Sequence, residues 1–124
     1  MKTILLVDDD PFIEKVVRKR LQKAPYEIRR AENGRVGVEQ AFALEPDLIL
    51  MDTHMPELNG PEAVIALRAR GYTGTIVALT ACDDDGTRRR CQDAGCDGII
   101  PKPFGKEVVA TIARLMDQKE PSAE

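Results

Sequence analysis

The stretch Leu48-Ile49-Leu50-Met51-Asp52-Thr53-His54-Met55-Pro56-Glu57-Leu58-Asn59-Gly60 decides how this chain is read. Four apolar residues run directly into one carboxylate. A loop with Pro and Gly follows, and Pro61 opens a helical pattern. An unbroken apolar run this short reads as a strand buried on both faces, the kind found in parallel sheets. Asp52 then stands where a central strand ends and the backbone opens to solvent, the edge at which open α/β sheets bind ligands. A charge is too costly to bury alone, so this carboxylate belongs at the mouth of the sheet with partners around it.

Three more apolar strands end in polar or charged residues. Residues 3–7 run into Asp8-Asp9-Asp10, residues 75–79 into Thr80, and residues 98–100 into Pro101-Lys102-Pro103. Between them lie helical patterns. Pro11 fits a first helical position with Asp10 as N-cap, and Ile13, Val16, Val17, Leu21 and Ala24 recur at helical spacing until Pro25. Residues 27–31 are more polar, as suits an edge strand. Gly34–Leu44 is a second helix with Val38, Ala41 and Phe42 on one face, and residues 61–69 a third with Val64 and Leu67 inward. Residues 83–94 form a fourth, poorly patterned helix that offers only Cys91 and Ala94 to a core and carries Arg88-Arg89-Arg90 on its surface. Such a helix depends on packing and is expected to be the least stable. Val108, Val109, Ile112, Leu115 and Met116 mark a final amphipathic helix.

Five strands alternating with five helices imply an α/β, flavodoxin-like doubly wound (βα)5 domain with a five-stranded parallel sheet in the order 2-1-3-4-5. At 124 residues the chain is one domain, expected over residues 1–118, with a polar tail at 119–124. Eighteen basic against 21 acidic side chains leave a net charge of −3, so nothing global points to nucleic acid or an anionic membrane. No apolar run approaches membrane-spanning length and none resembles a signal peptide, so the protein is expected to be cytoplasmic. Cys82, Cys91 and Cys96 are odd in number and form no C-x-x-C pair, arguing against a disulfide framework and a zinc site. They read as reduced, mostly core-facing thiols.

The 2-1-3-4-5 order brings Asp8, Asp9, Asp52, Thr80 and Lys102 to one rim. Like-charged carboxylates about 4 Å apart repel by roughly 4 kcal/mol per pair at an effective dielectric near 20. Either their pKa values rise or a cation fills the gap. Oxygen donors without His or Cys favour Mg2+ over zinc. A hard cation, an ammonium and a hydroxyl around one carboxylate make a phosphoryl site. No Gly-rich loop follows the first strand, which argues against a nucleotide cradle.

Val7-Asp8-Asp9-Asp10-Pro11, Asp52 with Met55-Pro56 and Asn59-Gly60, Leu79-Thr80-Ala81, and Lys102-Pro103-Phe104 together resemble the receiver domain of two-component response regulators, across essentially the whole chain. Residues 90–97 are also similar to receivers fused to hybrid histidine kinases. The resemblance implies that Asp52 accepts a phosphoryl group from a histidine kinase or histidine phosphotransfer protein. It implies that Asp9, Asp52 and the backbone carbonyl of His54 bind Mg2+, with Asp8 acting through metal-bound water, and that Thr80 and Lys102 contact phosphoryl oxygens. The bond between Lys102 and Pro103 is expected to be cis. Such a domain is not a turnover enzyme. It would switch the face made by its fourth helix, last strand and fifth helix for an unknown output protein, or dimerise on phosphorylation.

The His54 imidazole is expected to face solvent, Cys82 to be a structural or exposed thiol, and the arginine run to be a solvated face or a dock for an acidic partner. One position departs from the family: Ile99 stands where receivers carry Tyr or Phe, which puts aromatic-gated switching in doubt. Two readings compete. Asp8-x-Asp10 with Thr80 and Lys102 resembles a haloacid-dehalogenase-like phosphatase with Asp8 as nucleophile, although Phe12 replaces the usual small residue there. The other is a docking module that is never phosphorylated.

Overall fold

The computed structural model describes residues 1–55, 58–81, 84–102, 105 and 107–119, with side chains through 116. In chain order the elements are β1 (Lys2–Val7), α1 (Pro11–Arg20), β2 (Tyr26–Ala31), α2 (Gly34–Leu44), β3 (Leu48–Asp52), α3 (Gly60–Ala69), β4 (Thr75–Thr80), α4 (Asp85–Ala94), β5 (Gly98–Pro101) and α5 (Glu107–Lys119). The strands form one parallel sheet in the order β2-β1-β3-β4-β5, as the pattern predicts.

Strand alternation sorts the core into two layers. Ile4, Leu6, Leu48, Leu50, Val77, Leu79 and Ile100 face α1 and α5, meeting Val17, Leu21, Val108, Ile112, Leu115 and Met116. Leu5, Val7, Ile49, Met51 and Ile76 face the other way, onto Val38, Ala41, Ala63, Val64, Leu67 and Ala94 from α2, α3 and α4. β3 is buried at all five positions, while β2 alternates between partial burial and exposure. That contrast is the central strand and the edge strand read from apolar content.

Several boundaries differ from the sequence reading. α1 ends at Arg20, not Ala24. Leu21 closes it by donating its N–H to Val17 O, and the residue before Pro25 is sterically kept from helical geometry. α4 starts at Asp85, because Asp84 caps it by accepting the Thr87 N–H at 2.7 Å; Asp83 lies outside the described residues. β3 and β4 each keep their terminal polar residue within the sheet, with Asp52 in register with Leu79. α5 runs on through Lys119, and residues 120–124 lie outside the described part.

The end of β3 and the start of α3 touch. Asn59 caps α3 in a reciprocal capping box with Glu62, at 3.0 and 3.3 Å. The Gly60 N–H donates to Thr53 O at 3.3 Å. A Cβ on Gly60 would collide with the Asp52 carbonyl oxygen and lie 2.8 Å from Thr53 Cα. Both obstacles are backbone and cannot rotate away. Gly60→Ala is therefore expected to destabilise the chain by about 2 kcal/mol, the scale of core overpacking. Urea unfolding should show this as a lower midpoint with an unchanged slope.

Candidate functional site

The site forms where β1 and β3 part. Its position follows from the turn after β1. Asp10 accepts the Phe12 N–H at 2.9 Å and so caps α1, with Pro11 at the first helical position. The Asp10 N–H in turn donates to Asp8 Oδ1 at 2.9 Å, which turns the Asp8 carboxyl toward the sheet. Asp8 is fully buried and Asp52 nearly so, whereas Asp9 is exposed. Carboxylate oxygens of Asp8, Asp9 and Asp52 all lie within 4.8 Å of one another. The cluster expected from two strand ends is therefore present.

Lys102 compensates part of this charge. Its Nζ donates to Asp8 Oδ2 and to Asp52 Oδ1, each at 3.1 Å, from a side chain only 16% exposed. The Lys102 backbone is held by its N–H to Thr80 O at 2.7 Å, so the ends of β4 and β5 fix the ammonium over the two acids. Thr80 is fully buried at the end of β4. Asp52 Oδ1 also accepts the His54 N–H at 3.3 Å. His54 is exposed, as expected for its imidazole, and its Nδ1 shares a hydrogen bond with Thr53 Oγ1 at 2.9 Å. The expected cis bond and the thiol of Cys82 fall on Pro103 and Cys82, outside the described residues.

The electrostatics follow from burial and neighbours. Desolvation raises the pKa of Asp8, the Asp10 N–H works against it, and the Asp52 charge adds to the rise while Lys102 opposes it. For Lys102, burial disfavours the charge, but Asp52 and Asp8 together outweigh it and raise the pKa. Lys102 thus stays an ammonium throughout the neutral range. The Asp8 shift carries a stability consequence. A carboxyl whose folded pKa is raised contributes most below its unfolded value, near 3.8, and that contribution is lost as pH rises through the folded value. Asn mimics the protonated acid. Asp8→Asn is therefore expected to match the wild type near pH 4 and to gain stability relative to it as the pH rises toward 7. Parallel urea titrations at the two pH values measure this; a gap that does not widen with pH would contradict it.

One residue at this end escaped the sequence reading. Arg30, on edge strand β2, donates Nε to the Asp8 carbonyl at 3.1 Å and lies 3.8 Å from Glu14. A lone arginine in a polar strand carries no motif, so only register against β1 reveals its role.

The arrangement can hold a hard cation on all-oxygen donors and present one carboxylate to an electrophile beside an ammonium. The chemistry of the donor set fits magnesium: three carboxylates converge, and among the described residues neither thiol nor imidazole joins them. It fits Asp8 poorly as a nucleophile. That side chain is fully buried and committed to Lys102 and the Asp10 N–H, against the phosphatase reading.

Residues 4–114 match the family described as the response regulator receiver domain. Among curated relatives, the response regulator MprA of Mycolicibacterium vanbaalenii is 34% identical over 119 residues, covering 95% of this chain and 52% of that protein. The nitrate/nitrite response regulator NarL of Escherichia coli is 36% identical over 107 residues, covering 85% and 50%. The chain thus spans about half the length of these two relatives. Among solved structures, the chemotaxis protein CheY4 of Vibrio cholerae superposes with a TM-score of 0.86 at 32% identity, over 93% of this chain and 98% of that one. Among the described residues no helix is long and apolar enough to cross a membrane. A parallel 2-1-3-4-5 sheet, an acidic cluster where β1 and β3 part and a lysine bridging two of its members accompany a family match over nearly the full length, and the chain belongs to the response regulator receiver domains of two-component signalling, a family that is not one of turnover enzymes.

Proposed function

We propose that Asp52 is the phosphoacceptor, receiving its phosphoryl group from a cytoplasmic histidine kinase or histidine phosphotransfer protein. The observation that carries this is the Lys102 ammonium 3.1 Å from Asp52 Oδ1, with the Asp8 and Asp9 oxygens within 4.8 Å. Among the described residues, the hydrogen bonds to the Asp52 carboxylate fall on Oδ1, from His54 N–H and Lys102 Nζ. Oδ2 has no donor among the described residues and is the attacking oxygen. A P–O bond forms at Oδ2 as the donor's bond to phosphorus breaks in line with it. Asp9, Asp52 and the His54 carbonyl would hold Mg2+, with Asp8 in its outer shell; when bound, the ion neutralises equatorial oxygens of the transferring group. Lys102 needs only a small displacement to meet the new phosphoryl oxygens, and Thr80, at the end of the neighbouring strand, supplies a hydroxyl.

Drawing Lys102 and Thr80 toward phosphate would strain the loop after β4 and repack α4, changing the face of α4, β5 and α5 for an output partner or a second copy. Shifting a population from 1:99 to 99:1 takes about 5.5 kcal/mol. Two or three charge-assisted bonds at roughly 1.5–3 kcal/mol each supply it. Ile99, half-buried on β5, offers no aromatic ring to gate such a switch.

Incubation with acetyl phosphate and magnesium tests the reading. The expected result is a mass gain of one phosphoryl group, mapped to the peptide containing Asp52. No gain would favour the unphosphorylated docking module, and turnover of para-nitrophenyl phosphate would favour the phosphatase.

A further inference from the structure

α4 ends in a geometry that brings two thiols together. Gly95 adopts a left-handed conformation at φ 115° and terminates the helix. The chain doubles back so that the Cys96 N–H donates to Cys91 O at 3.0 Å and the Gly95 N–H to Gln92 O at 3.1 Å. In this helix ending the residue after the left-handed glycine packs on the residue whose carbonyl it caps, a contact usually made by two hydrocarbon side chains. Here both positions are cysteine, so the helix ending sets the two residues side by side. Cys91 is buried and faces inward, whereas Cys96 is part-exposed and lines a cleft of about 230 Å3 with Arg88, Gln92, Asp97, Gly98 and Ile99. Cys96 thus borders the cleft, while Cys91 is buried.

We propose that Cys91 and Cys96 form a redox site, closed to an intramolecular disulfide by a small organic disulfide such as oxidised glutathione. The Cys96 thiol loses its proton to solvent and attacks the oxidant, forming a mixed disulfide and releasing one thiolate. The Cys91 thiol then loses its proton and attacks the Cys96 sulfur, releasing the second. The two protein thiols are oxidised, the oxidant is reduced to two thiols, and the two protons end on these leaving groups. Closure places a covalent link at the C-terminal end of α4, leaving its N-terminal end, near Thr80, unlinked.

The thiolate is the nucleophile, so thiol acidity sets the rate. Burial, with the neighbouring Cys91 thiol adding to it, pushes Cys96 up to about 12, and burial raises Cys91 as well. Closure is therefore slow at neutral pH and should accelerate almost tenfold per unit between pH 7 and 9, as the thiolate fraction does.

The experiment uses the 124-residue chain carrying Cys82→Ser, which retains only these two thiols. After exposure to oxidised glutathione, acid quenching and alkylation, the expected product is a monomer lighter by the two hydrogen atoms lost, with the link inside the peptide spanning residues 91–96. Cys91→Ser on the same background should stop at a glutathione adduct on Cys96. Protein that stays reduced at pH 9, holds stable glutathione adducts with Cys91 intact, or links only between molecules would overturn the proposal.

Discussion

Asp52→Asn is expected to gain no phosphoryl group from acetyl phosphate under conditions that label the wild type, a loss of at least about 10³ in rate. Asparagine keeps the shape of the side chain. Its carbonyl oxygen can still accept the two hydrogen bonds that Oδ1 receives from His54 N–H and Lys102 Nζ. What disappears is the anionic oxygen, and an amide does not replace it as a nucleophile at phosphorus. The substitution also removes one of three mutually repelling charges within 4.8 Å. The folded state should therefore be as stable as the wild type or slightly more so, and an unchanged or higher urea midpoint separates lost chemistry from lost structure. Because the Asp52 charge contributes to the raised pKa of Asp8, the variant should also make Asp8 easier to ionise, visible as a lower carboxyl titration midpoint by NMR. Labelling that persists in Asp52→Asn would reassign the acceptor, with Asp8 the first alternative.

Much of this site was readable because each part is announced by a strand running into a polar residue. The run 48–51 ending in Asp52, the run 3–7 ending in Asp8 and the run 75–79 ending in Thr80 need only the parallel topology to bring them together. The topology follows from apolar content: β3 is buried throughout and the polar β2 takes the edge. Boundaries were less legible because they depend on single capping bonds. Nothing in composition distinguishes Asp83 from Asp84 as the start of α4, yet Asp84 accepts the Thr87 N–H. Least legible were residues that act through backbone carbonyls distant in sequence. Arg30 and Arg68 sit in ordinary charged contexts, and their acceptors become neighbours only once the sheet is built. The Cys91 and Cys96 contact is intermediate: five residues apart, the two are joined by a helix ending that Gly95 signals, though their spacing matches no cysteine motif.

Arg68→Ala, at the end of the sheet opposite the acids, is expected to cost about 3 kcal/mol of stability. The Arg68 side chain, 22% exposed, leaves the last turn of α3 and binds four groups. Nε and one terminal nitrogen donate to Gly95 O at 3.1 and 2.9 Å. The other terminal nitrogen donates to Tyr72 O and Gly74 O, both at 2.9 Å. The first terminal nitrogen also meets Asp97 Oδ2 at 3.0 Å, the oxygen that accepts the Ile76 N–H at 2.9 Å. One guanidinium thus ties the end of α3 to the end of α4 and to the turns entering β4 and β5. An exposed ion pair would contribute about 1 kcal/mol at most. Here five charge-assisted bonds are made from a single preorganised plane, and three carbonyls lose their donor together. Lysine cannot reproduce this, since a point ammonium reaches only one or two of the acceptors, so Arg68→Lys should recover less than half of the loss. Urea unfolding of the three proteins measures both values. Amide exchange should show the loss concentrated at the C-terminal turn of α4, with the amides of β1 and β3 slowing or speeding only as global stability dictates. A cost near 1 kcal/mol, or equal loss across the sheet, would mean that α4 is held by its three buried side chains, Thr87, Cys91 and Ala94, and not by this guanidinium.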